Sequence, residues 1–119
     1  MKIEKTALPG VVIVTPARMG DDRGWFCETW NAGRMRAAGL GIAFVQDNHS
    51  FSARAGTLRG LHYQRPPHAQ DKLVRCTRGA ILDVAVDARR GAPTYGHWVA
   101  VELSAENFRQ LLVPKGFLH

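Results

Sequence analysis

Long apolar runs are missing from this chain. The clearest one near the N-terminus is Val11-Val-Ile-Val14, far short of the ~18 residues a membrane-spanning helix requires. The opening Met1-Lys-Ile-Glu-Lys5 lacks the apolar stretch of a secretory signal, so the expectation is a cytoplasmic protein with no membrane partner. Cysteine is scarce as well. Cys27 and Cys76 form no CxxC pair and have no metal-ligand spacing; both read as buried free thiols, and without a secretory signal a disulfide is not expected. Internal repeats, linkers and recognised nucleic-acid-binding motifs are also absent. The 16 Lys and Arg outnumber 10 acidic residues, for a net charge of +6, yet they are dispersed. Most therefore belong to a solvated surface, and a subset suits a small anion such as a nucleotide diphosphate, which Arg pairs bidentately.

What is present is an ordinary globular mixture, 45% hydrophobic and 22% charged over 119 residues. A chain of this length favours one domain, here 1–119, that buries about 65% of its unfolded surface. Turn signals recur at short intervals, among them Pro9-Gly10, Pro66-Pro67, Gly79 and Arg90-Gly-Ala-Pro93. Between them the pattern predicts strands over Val11–Thr15, Gly24–Thr29, Ala43–Ser50, Thr57–Gln64, Lys72–Arg78, Ala80–Asp87, Gly96–Leu103 and Gln110–Val113. One short helix is expected at Asn31–Ala38, stopping at Gly39, and one capped turn at Ser104-Ala-Glu-Asn107. Short, evenly spaced strands argue for an all-β sandwich or barrel, and a double-sheet jelly roll is one way to manage its edges.

Three of these segments carry groups that a strand packed on a core avoids. Gln46 and Asn48, Arg59 and His62, and Lys72 stand in alternating runs where apolar residues would be expected. Strands that carry imidazole, guanidinium, amide and ammonium groups on an inner face line a pocket, and the mouth of a jelly roll is a common place for one. By period-two alternation His62 and Gln64 face one way with Gly60, while Arg59 and Leu61 face the other. Arg59 joins the pocket only across a bulge or twist, which Gly60 permits. Neutral imidazole accepts a proton near cellular pH, and Lys72 can stabilise an enolate oxygen. The residues thus suit proton abstraction beside a carbonyl, though spacing alone does not separate this from simple sugar or nucleotide binding.

Metal chemistry is the rival reading. The layout resembles the cupin superfamily of jelly rolls, whose first motif contains His-x-His and a later glutamate and whose second is Pro-x-Gly-x-x-His. Pro114-Lys-Gly-Phe-Leu-His119 matches the second. The first is degraded, since His62-Tyr-Gln64 has glutamine in place of the second histidine. Lys72 stands near the expected glutamate and would repel a cation. His62 and His119 alone fall short of the three or four ligands that zinc or iron requires, so no metal is expected.

A closer resemblance is to the dTDP-4-dehydrorhamnose 3,5-epimerase family. It rests on Asp22-Arg-Gly-x-Phe-x-Glu28, Gln46-Asp-Asn-His-Ser50, Gly56-x-Leu-Arg-Gly-Leu-His-Tyr-Gln64, Ala69-Gln-x-Lys-Leu-Val-Arg75, Gly79-Ala-Ile-Leu-Asp-Val-Ala-Val-Asp-Ala-Arg89 and the tail Pro114–His119. The resemblance implies a cupin-type jelly roll, epimerisation of dTDP-4-dehydro-6-deoxy-D-glucose at carbons 3 and 5, and no metal or organic cofactor. It implies His62 as the base and Lys72 as the group that stabilises the enolate. Arg23, Phe26, Glu28, Gln46, Asn48, Arg59 and His119 fall on nucleotide-sugar-binding positions, with Arg23 and Arg59 toward the diphosphate. The Arg23–Glu28 segment is implied to serve the pocket of a homodimer partner. Plainer roles are core for Phe26 and surface for Glu28; Asp83 could pair with Lys72 or be structural, and His49 and His68 are read as structural or surface residues.

The family pattern continues past residue 119 with further strands, a tyrosine that serves as the general acid and an aspartate that orients the base. Tyr63 and Tyr95 do not match that tyrosine's motif. The expectation is therefore a roll incomplete at its C-terminus, foremost because the sequence is a fragment of a longer protein, ahead of a truncation or completion by a partner chain. Functional alternatives are an inactive nucleotide-sugar-binding remnant and a sister 3-epimerase or 3,4-ketoisomerase.

Overall fold

The computed structural model describes residues 1–119 as antiparallel sheets with one short helix. The elements run β1 (Lys2–Lys5), β2 (Val12–Thr15), β3 (Arg18–Asp21), β4 (Gly24–Cys27), α1 (Ala32–Ala37), β5 (Lys72–Arg75), β6 (Ala80–Asp87), β7 (Trp98–Ser104), β8 (Gln110–Val113) and β9 (Phe117–Leu118). A four-stranded sheet has the order β1-β2-β8-β5 and a three-stranded sheet the order β7-β6-β9, while β3 and β4 form a separate hairpin.

The core lies between the two larger sheets. Leu8, Val11, Leu111 and Val113 from one side meet Ala85, Val101, Leu103 and Phe117 from the other. A second cluster forms on the outer face of the four-stranded sheet, where Val12, Val14 and Leu112 pack against Met35 of α1. β2 and β8 are thus apolar on both faces, which their runs Val12-Ile-Val and Leu111-Leu-Val dictate. Each fully buried leucine contributes about 1.5–3 kcal/mol. The helix starts where Asn31 Oδ1 accepts the Arg34 N–H at 3.0 Å and ends before Gly39 at φ 80°, a capped pattern of the expected kind.

β8 and β9 carry the chain from one sheet to the other through Pro114–Gly116. This corner is tightly made. Lys115 N–H donates to Asp71 Oδ1 at 2.9 Å, Ala88 N–H donates to the Gly116 carbonyl at 3.1 Å, and the Arg89 guanidinium lies 4.5 Å from the centre of the Phe117 ring. Gly116 has φ 94°, and a Cβ there would stand 2.7 Å from Arg89 Cγ, so glycine is required on both counts.

Several expectations need correction. Ala43–Ser50 and Thr57–Gln64 are not strands, and every residue from 45 to 68 is exposed. Their alternation is real, but no neighbouring strand takes up their backbone donors and acceptors, and without a ladder an alternating segment stays irregular. The Lys72 strand stops at Arg75 and the Gly24 strand at Cys27, while β1, β3 and β9 had no strong sequence signal. The cysteines are free as expected but only half-buried. The Ser104 turn forms as read, with Asn107 N–H on Ser104 Oγ and Ser104 N–H on Asn107 Oδ1, both at 3.0 Å. No helix is long and apolar enough to cross a membrane.

Candidate active site

The polar residues that the sequence singles out fall into three places, and the corner between β8 and β9 gathers the most reactive ones. Lys72 opens β5 and lies opposite Val113. Residues directly opposite in an antiparallel pair share a face, and Val113 belongs to the core between the sheets. Lys72 therefore points inward, half-buried. From the facing sheet Asp83, Ala85 and Asp87 also point inward, at 6%, 0% and 1% exposure. The inner face of β6 thus mixes Asp83 and Asp87 with Ile81 and Ala85, while Leu82, Val84 and Val86 on its other face are left more open. Lys72 on one sheet and Asp83 on the other are polar groups set beside the apolar core between the sheets.

His119 follows β9 directly and is joined to His62 by a reciprocal pair of backbone hydrogen bonds: His62 N–H donates to the His119 carbonyl, and His119 N–H to the His62 carbonyl at 3.0 Å. This exchange of both bonds is the pairing found in antiparallel ladders, here as an isolated bridge that docks the 45–68 segment on the corner. Gly60 makes it possible. Its φ is 100°, and a Cβ there would lie 3.0 Å from the His119 carbonyl oxygen and 3.5 Å from His62 Nδ1, the close approach expected of this glycine. The His119 imidazole meets Asp83 through Nε2 and Oδ1, whereas no donor reaches the buried Asp83 Oδ2. The expected alternative partner, Lys72, forms no ion pair with Asp83. The corner thus unites His62, His119, Asp83 and Gly60, with Lys72 on the facing inner wall. Asp83 is the member whose partner the sequence did not reveal; the signal was a carboxylate in the middle of the apolar run Ile81–Val86.

The second group lies on the exposed arm. Arg59 Nε donates to Ser52 Oγ at 3.1 Å and its Nη2 to the Phe51 carbonyl at 3.0 Å. Gln46 Nε2 donates to Asn48 Oδ1 at 3.1 Å. Both pairs stand outside the two-sheet core, and Arg59 remains exposed. The third group is on the β3–β4 hairpin, which has no ladder to either large sheet. There Arg23 Nη2 contacts Asp21 Oδ2 at 2.6 Å and Arg23 N–H donates to Oδ1 at 2.9 Å. These bonds hold the Asp21 carboxyl below the ordinary carboxylate range and push the Arg23 guanidinium up. Glu28 binds Asn31 Nδ2 at 3.1 Å and lies 3.4 Å from Arg34 Nε. Phe26 is 66% exposed, which overturns the core reading for it. Phe26 and Glu28 border a cleft of about 160 Å³ with Met1, Met19, Trp30 and Arg34. Arg23, Phe26 and Glu28 are therefore grouped with one another rather than with the histidine corner. No group of three or more His, Cys, Asp or Glu side chains is assembled as a metal site.

Two antiparallel sheets packed face to face over an apolar core, with histidine and lysine at one corner, fit a cupin-type jelly roll. Comparison with known proteins then narrows the class. The profile of the dTDP-4-dehydrorhamnose 3,5-epimerase family matches residues 5–119, and this chain belongs to that family. It is 54% identical over 120 aligned residues to dTDP-4-dehydrorhamnose 3,5-epimerase of Shigella flexneri, covering 100% of this chain and 66% of the relative. It superposes with TM-score 0.96 and 49% identity on the Bacillus anthracis dTDP-4-dehydrorhamnose 3,5-epimerase crystal structure holding TDP and PPi, covering 99% of this chain and 67% of that one. With TM-score 0.93 and 49% identity it matches the Legionella pneumophila dTDP-6-deoxy-D-glucose-3,5-epimerase in complex with dTDP-4-keto-L-rhamnose, 99% of this chain against 62% of that one. The chain spans just under two thirds of the Shigella relative's length.

Proposed function

We propose that the protein epimerises carbons 3 and 5 of dTDP-4-dehydro-6-deoxy-D-glucose in dTDP-L-rhamnose synthesis, in the cytoplasm, as a homodimer. The observation that carries this reading is the corner itself. A histidine is docked by its main chain on a second histidine, which is anchored to a buried carboxylate, and Lys72 points inward from the facing sheet.

The chemistry follows from the substrate's ketone. A C–H bond next to the 4-keto group breaks, its proton passes to the His62 imidazole, and its electron pair moves onto the carbonyl oxygen as an enolate. The Lys72 ammonium stabilises that charge in a site partly withdrawn from water. A proton from solvent adds to the opposite face of the same carbon and inverts it, His62 gives up its own proton to water, and the cycle repeats at the second carbon. No net oxidation occurs, so no redox cofactor is called for. Arg59 and Arg23 bind the diphosphate, while Phe26, Glu28, Gln46, Asn48 and His119 hold the rest of the nucleotide sugar. The separate, exposed β3–β4 hairpin suits exchange into a partner's pocket, which would bring Arg23, Phe26 and Glu28 to a histidine corner of the second copy.

The test is incorporation of solvent deuterium at the sugar's ring carbons. His62→Asn should reduce it by about 10²–10⁴-fold, the usual contribution of a general base, and Lys72→Ala by about 10²–10³-fold, as for removal of an oxyanion donor. Exchange in His62→Asn at the wild-type rate would remove His62 as the base, and product analysis distinguishes double epimerisation from inversion at carbon 3 alone.

A further inference from the structure

We propose that Asp83 is a positioning residue that sets which nitrogen of His119 faces the ligand; this rests on the sugar-nucleotide reading above for the ligand, though not for the geometry. The His119 main chain is already fixed by the two bonds it exchanges with His62. What remains free is the imidazole ring, and one contact defines it: Nε2 meets Asp83 Oδ1. The Asp83 side chain is 6% exposed and that of His119 22%, so the contact lies on the inner side of the ring and an edge of the ring is left open.

The chemistry of the pair then dictates the tautomer. A carboxylate is acceptor-only and imidazole has two distinct nitrogens. In the neutral ring a carboxylate against Nε2 requires the proton there and leaves Nδ1 as the acceptor for a donor on the ligand, the way a buried aspartate orients histidines elsewhere. The unusual feature of Asp83 supports a role beyond packing. Its Oδ2 is buried with no hydrogen-bond partner, an arrangement that costs free energy and that a purely structural residue would gain nothing from. Its neighbour on the same strand face, Asp87, shows the contrast, with both oxygens bonded by Arg89 and Thr94. The one partner of the Asp83 carboxylate is His119.

The decisive measurement is the long-range proton–nitrogen correlation spectrum of the histidine-labelled protein at pH about 8, above the ordinary imidazole range, with His119 assigned through His119→Gln. The proton should reside on Nε2 in the wild type, and in Asp83→Asn, whose side-chain carbonyl still accepts. Asp83→Leu, similar in volume but without an acceptor, should show both tautomers in exchange. Its dTDP affinity by calorimetry should fall about tenfold, the equivalent of one charge-assisted hydrogen bond. A wild-type proton on Nδ1 overturns the proposal and needs no variant, so a Leu variant that fails to fold leaves the test intact. Unchanged tautomer and affinity in a folded Asp83→Leu overturn it too. If the wild type binds no dTDP, the sugar-nucleotide reading falls, while the spectrum still decides the tautomer.

Discussion

Gly60 and Asp87 each confine a functional strand end to one geometry, by different physics. At Gly60 the constraint is steric and conformational together. Ala at this position must adopt φ near 100° and place Cβ 3.0 Å from the His119 carbonyl oxygen, so the backbone alone costs about 1–2 kcal/mol and the His62–His119 bridge must lengthen. Gly56, with φ 76° and open space within 4 Å of where a Cβ would stand, carries only the conformational cost. Thermal unfolding should therefore show a larger loss for Gly60→Ala than for Gly56→Ala, and only Gly60→Ala should perturb the His119 resonances. Equal effects would mean that the bridge does not depend on Gly60. Asp87 is electrostatic. Arg89 Nε donates to its Oδ1 at 2.9 Å, and Arg89 Nη2 and Thr94 Oγ1 bond Oδ2 at 2.7 and 2.6 Å. The Arg89 hydrogen bonds, foremost, hold its pKa well below the ordinary value despite burial. A carboxylate depressed in the folded state stabilises above its unfolded pKa of about 3.9 and loses that contribution as pH falls toward its folded value. Asp87→Asn should cost about 3 kcal/mol at neutral pH, and denaturant titrations should show its deficit shrinking below pH about 4. A deficit that stays constant down to pH about 2 would assign the loss to shape rather than charge.

Among the elements, β8 divides its two leucines between separate cores, which makes their replacement informative. Leu111 faces the space between the sheets and Leu112 faces α1. Each Leu→Ala change should cost about 2–5 kcal/mol, but only Leu112→Ala should loosen the helix, read as faster amide exchange at Met35. Leu58→Ser, at a residue 90% exposed, should stay within about 0.5 kcal/mol of wild type. The same elements show what was legible beforehand. β2, β6, β7 and β8 announce themselves, because runs such as Leu111-Leu-Val and Ile81–Val86 have few ways to be buried other than in a sheet. α1 was legible from its Asn31 cap and Gly39 stop. Ala43–Ser50 and Thr57–Gln64 misled because alternation records what a strand could bury, not whether a neighbour is available. Asp83 misled in a related way: its place in β6 was clear, but β9, two residues long, gave no local sign that it would bring His119 alongside.

At the scale of the whole molecule, the surface is too large for the mass. A monomer of 13.2 kDa is expected to expose about 6,400 Å², and this chain exposes 8652 Å². Its radius of gyration is 14.9 Å against about 13.5 Å for a compact chain of this length. On the β6–β7 sheet Leu82 and Trp98 are 71% and 65% exposed, and on the hairpin Met19, Trp25 and Phe26 are 62%, 59% and 66% exposed. Two routes to the proposed homodimer can be separated. If the hairpin is what partners exchange, Phe26→Glu should dissociate the dimer and weaken dTDP binding together, because Arg23 and Glu28 leave the partner's site with it. If the sheet face is the contact, Leu82→Glu should dissociate it and leave the hairpin undisturbed. The implied role of the Arg23–Glu28 segment favours the first. Sedimentation equilibrium should then find wild type at twice the 13.2 kDa chain mass, with Phe26→Glu shifted to a single chain and Leu82→Glu still paired. A wild type that sediments as one chain at every concentration would rule out the homodimer and leave Arg23, Phe26 and Glu28 without a histidine corner to serve.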